Sequence, residues 1–234
     1  LVVTSACSSS SSTRGAAGST SSNPAFRDTT VATTPPVNPA DVTLAHHLAL
    51  SLSDLPPGWT STPHEDQKNA KADEELNACM HLPGTKLIAS AASADSPDFT
   101  SSSRQQITNS VGVATKPSDV AMVLDLLSGA NTGACFAGYL DTVLKSAASS
   151  DAKIGKSSVA PESFDALGDR TVALRATVPV STKGLNVNVY ADIVVVQKGR
   201  VGILLTAEDT LNPFPTGMSA SLIRKVLARI PAGT

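Results

Sequence analysis

The sequence predicts an α+β fold: an antiparallel β-sheet, ending in a three-strand meander, packed with an α-helical hairpin and a C-terminal amphipathic helix. Three observations carry this. Between residues 171 and 206, apolar runs with strand character follow one another through very short connections, which only antiparallel neighbours allow. Residues 118–148 hold two apolar patterns of helical period on either side of a glycine-flanked turn. Residues 217–230 place Leu222, Ile223, Val226 and Ile230 on one helix face, opposite Arg224, Lys225 and Arg229, whose charge reads as a solvated polar face.

The chain starts with Leu1-Val2-Val3-Thr4-Ser5-Ala6-Cys7, uncharged, without Met, and closed by a cysteine. This resembles the end of a bacterial lipoprotein signal peptide, in which small residues fit the peptidase and the cysteine receives lipid. Ser5 and Ala6 fit that pattern, and Thr4 stands where leucine is usual. Cys7 is therefore the expected lipid-attachment residue, and 1–7 the end of the signal. The alternative is a signal cleaved nearby, with Cys7 a bystander. Residues 8–40 run from Ser8–Ser12 to Thr34-Pro35-Pro36 and Pro39, too poor in apolar side chains to offset the entropy of ordering. They read as a disordered tether, and 41–234 as a single domain.

Within that domain, Leu44, Leu48, Leu50 and Leu52 fit helix and strand periods about equally. Pro56-Pro57-Gly58 breaks any element. A short helix is expected over 73–80, capped by Asp73 and carrying Cys79 near its end. Residues 104–115 alternate as a strand through Ile107, Val111 and Val113. Lys116-Pro117-Ser118 ends it and caps a helix over 118–128, with Val120, Val123, Leu124 and Leu127 on its core face. A second helix over 134–148 is expected to bury Phe136, Tyr139, Leu140, Val143 and Leu144. A polar connector (149–168) leads to strands at 171–180, 187–197 and 201–206. Ile193–Val196 is apolar on both faces, as an interior strand requires.

Leu55-Pro56-Pro57-Gly58-Trp59, Leu76-Asn77-Ala78-Cys79, Cys135, and Gly168-Asp169-Arg170 ahead of the meander resemble a group of uncharacterised actinobacterial cell-envelope lipoproteins. More distantly, the region 41–230 is similar to the extracellular sensor domains of mycobacterial transmembrane serine/threonine kinases. Those domains use two disulfides, whereas this chain offers one pair besides Cys7. The resemblance implies an extracytoplasmic, membrane-anchored, sensor-like domain, and transfers no catalytic residue.

The residues themselves point the same way. A net charge of −2 with scattered basic residues gives no footprint for nucleic acid, and 3% aromatics leave few rings for base or sugar stacking. With Cys7 lipidated, Cys79 and Cys135 remain for a disulfide closing a loop of about 57 residues; two buried free thiols are the alternative. His46, His47, His64 and His81 show no metal-ligand spacing. Gly155-Lys156-Ser157 lacks the first glycine of a phosphate-binding loop. Gly217-Met218-Ser219-Ala220-Ser221 lacks the last glycine of a nucleophile elbow. No cofactor, metal or enzymatic activity is expected.

One feature suggests a binding surface. Met122 and Leu126, at i and i+4, lie opposite the core stripe of the 118–128 helix and need a cover. Either the next helix supplies it, or the pair lines a site for a small apolar ligand or an envelope protein. A large closed apolar cavity would favour a ligand, and a flat exposed apolar patch a protein partner. A histidine within reach of a serine or carboxylate would favour a hydrolase.

Overall fold

The computed structural model describes residues 37–65, 69–81, 92–148, 151–182 and 184–234, which all belong to one folded unit. Cys7, the signal segment and the tether as far as residue 36 lie outside the described residues. In chain order the elements are α1 (Pro39–Leu48), β1 (Trp59–Thr62), α2 (Ala70–Cys79), β2 (Ala92–Asp95), β3 (Asp98–Ser101), β4 (Gln106–Val113), α3 (Pro117–Leu127), α4 (Thr132–Ala147), β5 (Ala152–Ile154), β6 (Ser158–Pro161), β7 (Arg170–Thr182), β8 (Leu185–Lys198), β9 (Val201–Asp209) and α5 (Thr216–Leu227). The fold is α+β, with one antiparallel sheet in the order β1-β3-β4-β9-β8-β7-β5, β2 beside β4 and β6 beside β7.

The predicted meander is the centre of this sheet. β7 and β8 form a long hairpin from Arg170↔Gln197 to Thr182↔Leu185, and β9 returns beside β8 from Lys198↔Val201. β4 then pairs antiparallel with β9 from Val113↔Val201 to Gln106↔Glu208. Side chains alternate across the sheet, so each face builds its own core. Val194, Val196, Ile203 and Leu205 pack with Leu222, Ile223 and Val226 of α5 and with Leu48, Leu50 and Leu55. Val195 and Leu174 pack on the other face with Val120, Val123, Leu124 and Leu127 of α3.

Several expectations shift. The ambiguous segment after residue 41 is helical: Asn38 accepts a hydrogen bond from Ala40 N (3.0 Å) and Pro39 occupies the first turn, so order begins before the predicted boundary at 41. The second helix starts at Ala70, capped by Asn69 instead of Asp73. The connector 149–168 contains β5 and β6, and the stretch 59–101 supplies three more short strands. The sheet's flanking strands are thus interrupted: β2 and β3 bend at Ser96-Pro97, and β5 and β6 at Gly155–Ser157. The basic side of α5 is a set of clamps. Arg224 pairs with Asp165, while Lys225 and Arg229 hold the carbonyl and carboxylate of the buried Asp54.

Candidate functional site

Met122 and Leu126 lie in an open groove of about 360 Å³, together with Cys79, Met80 and His81 from the end of α2, Asp125 of α3 and the turn 129–132. Met122 is 57% exposed. Leu126 is half-buried in a small apolar cluster with Leu76, Met80, Cys135, Phe136 and Tyr139. The cover that an antiparallel helix hairpin would have given Met122 is missing because α4 leaves α3 at 82°.

The local chemistry of the turn produces that angle. Gly129 N and the Thr132 hydroxyl both donate to Leu126 O (3.0 and 2.6 Å), and the Ser128 hydroxyl donates to Leu124 O (2.7 Å), ending α3 tightly. Gly133 then lets α4 press against β6: a Cβ there would lie 2.4 Å from Val159 O. α4 therefore covers the β5–β6 flank rather than Met122. Only Thr132 and Cys135 of α4 are buried, whereas Phe136, Tyr139, Leu140, Val143 and Leu144, expected in the core, stay part-exposed.

The outer wall is α2, which packs on α4 through Leu76 and Met80 and through the Cys79–Cys135 disulfide. Asn69 donates to the Ser146 hydroxyl (3.1 Å), and Thr142 to Glu75 (2.8 Å). Burial together with the Asp73 charge raises the Tyr139 phenol above its ordinary value, so it stays neutral against this wall. His81 leaves α2 in the left-handed region (φ 54), a conformation that costs a non-glycine residue about 1 kcal/mol, and sits at the groove rim. On the other side, Arg170 of β7 donates to Ala121 O (3.2 Å) and to Asp125 (2.7 Å), fixing α3 and satisfying the groove's carboxylate. The lining is therefore apolar and sulfur-rich, with little uncompensated charge.

Met122, Leu126, Cys79 and Cys135, singled out in the sequence, lie in one neighbourhood in the structure. Sequence reasoning missed Met80 and His81. Met80 was legible as the i+4 partner of Leu76; the left-handed turn at His81 carried no glycine to signal it.

The other candidate chemistries fare differently. Ser219 is buried on the core side of α5. Gly155 N donates to Pro179 O (2.7 Å) and Ser157 N to Asp141 (2.9 Å), so neither amide faces a phosphate. Burial opposes the Asp141 charge, but the Ser157 and Lys145 contacts outweigh it and lower the carboxyl below its usual range. His64 Nδ1 lies 2.6 Å from Asp98 Oδ1, the histidine–carboxylate contact that favours a hydrolase, but both side chains are about one-third exposed at the β1–β3 edge and neither lines the groove, so the pair reads as a solvated surface contact. Among the described residues, no three His, Cys, Asp or Glu side chains gather at metal-binding distance. No single described helix is long and apolar enough to cross a membrane.

No family model matches the chain, and no curated protein does. Solved structures that are similar in part include the following two. The extracellular domain of PknH from Mycobacterium tuberculosis shares 10% identity over 72% of this chain and 100% of its own, with a TM-score of 0.33. An uncharacterised protein of Mycobacterium smegmatis, the Rv0999 ortholog, shares 9% identity over 84% of this chain and 98% of its own, with a TM-score of 0.37. At these values neither likeness carries an assignment of family or function.

Proposed function

We propose that this chain is an exported, lipid-anchored recognition domain without catalytic activity, and that the α2–α3–α4 groove receives an apolar side chain from another envelope protein. Met122 carries the reading: a large, adaptable apolar side chain left 57% exposed beside Leu126 and Met80, on the one side of α3 that nothing described covers. The Cys79–Cys135 disulfide supports an oxidising compartment, and the Cys7 motif supports anchoring there. Of the two binding modes, the open groove favours a protein segment. A drug-sized ligand requires a site that removes most of its surface from water. A single leucine-like anchor needs only a notch, and its burial contributes about 1.5–3 kcal/mol.

The chain's three methionines give an internal control: Met80 and Met122 line the groove, and Met218, in the first turn of α5, packs on the core. In spectra of methyl-labelled methionine, N-acetyl-leucinamide is expected to shift Met80 and Met122 and leave Met218 unmoved. Met122→Lys should abolish the response with a thermal midpoint within a degree or two of wild type, as for an exposed site, roughly 0.5 kcal/mol or less. Decanoate acting where the amide does not would replace the protein-segment reading with a small apolar ligand. A large loss of stability would assign Met122 to the core instead.

A further inference from the structure

The placement of the disulfide differs from that of a core cross-link. Cys135 is 3% exposed, whereas Cys79 is solvent-exposed and lines the groove. The two cysteines also sit at opposite kinds of helix end. Cys79 is the last residue of α2, where outward-facing carbonyls disfavour a thiolate. Cys135 lies in the first turn of α4, where free amides favour one. An incoming thiolate reaches Cys79, the exposed member of the pair, and the α4 N-terminus offsets part of the cost of releasing a buried Cys135 thiolate. Access is the preference that selects attack on Cys79.

We propose that Cys79–Cys135 is an exchangeable disulfide whose opening by a dithiol reductant dismantles the groove. The consequence for docking rests on the groove reading above; the exchange chemistry does not. The reductant's thiolate bonds to Cys79 Sγ as the S–S bond breaks, and Cys135 departs as a thiolate and takes a proton from water. The reductant's second thiol, giving up its proton, then attacks its own sulfur in the mixed disulfide. Cys79 is displaced and protonated. Two electrons have passed to the cysteine pair, and the dithiol has become a disulfide.

Opening the bond matters because, among the described residues, little else holds α2. It is a ten-residue helix, too short to persist alone, and its buried contacts reduce to Ala72, Leu76 and Met80 at its end. Its polar contacts with Ser146 and Thr142 are exposed. If α2 leaves α4, Met80 and His81 leave with it, and Met122 and Leu126 keep only α3, the 129–132 turn and the start of α4 around them.

The test uses the full oxidised chain carrying Cys7→Ser, so that the pair holds the remaining cysteines. A brief native-state exposure to 2-mercaptoethanesulfonate, followed by acid quench, alkylation and peptide mapping, should place the mixed disulfide on Cys79 and the alkyl group on Cys135, in roughly tenfold excess over the reverse. Dithiothreitol should then reduce the bond without denaturant, moving the Met80 and Met122 methyl signals while Met218 stays in place. An adduct mainly on Cys135, or reduction only in denaturant, overturns the exchange. Reduction that leaves Met80 and Met122 unmoved overturns its coupling to the groove. Neither readout contains a groove ligand, so both are separable from the leucinamide titration of the oxidised protein.

Discussion

Asp41 and Arg200 sit 159 positions apart and meet through two hydrogen bonds (2.8 and 2.6 Å), fixing the start of α1 to the β8–β9 turn. Arg200 also donates to Ala114 O (3.3 Å), so one guanidinium serves helix, hairpin and the exit of β4. These contacts hold the Asp41 carboxyl below its ordinary 3.8, chiefly through the Arg200 hydrogen bonds. Asp41→Asn should therefore destabilise the domain by about 1–3 kcal/mol, at the lower end because Arg200 is partly solvated. A depressed carboxylate contributes stability above its unfolded pKa and loses it as pH falls through the folded value. The gap between wild type and variant in urea melts should be constant from neutral pH to about 5 and close in the acid range below about 4. None of this was legible in sequence, where Asp41 is one polar residue at a domain boundary. Met122 was legible, because periodicity alone shows an apolar residue on the wrong side of a helix.

Legibility at the element scale follows length and apolar content. α3 and the β7–β8–β9 meander announce themselves because each repeats an apolar pattern over many residues. β5 and β6 do not: each is three or four residues long, so the single alternation of Ala-Lys-Ile is too short to read and Ser-Val-Ala-Pro has none. They exist because β7 offers them an edge. Reading 134–148 as a core helix failed for a related reason. Its apolar residues are real, but a turn angle decides what they meet, and that angle depends on the Thr132 and Gly133 contacts. α2 is the element most dependent on a single bond. Cys135→Ser should cost about 2–4 kcal/mol, as expected for opening a loop of this size. Hydrogen exchange should localise the loss, with α2 amides losing protection while β8 and β9 amides keep theirs relative to the variant's own global stability. Uniform loss across the sheet would show that α2 docking and the core are one cooperative unit.

For the whole molecule, the sequence conveys two parts of different character, and the structure describes the second. The sheet has helical cover on both faces, α3 forming part of it, so that α2 is an appended layer resting on α4. The proposed anchoring belongs to the first part: Cys7→Ala, expressed from the full gene in a lipoprotein-competent host, should move the protein from the detergent phase to the aqueous phase. Unchanged partitioning would mean that Cys7 is not the anchor. A photo-crosslinking residue at position 122 in intact cells tests whether the groove docks a protein. Position 185 serves as control, because Leu185 is 66% exposed at the tip of the β7–β8 hairpin, an equally apolar site outside the groove. A discrete protein adduct is expected from position 122 that position 185 does not give, and it should be lost when Cys79 and Cys135 are both replaced by serine. Equal adducts from both positions, or none from 122, would show that the groove docks no protein.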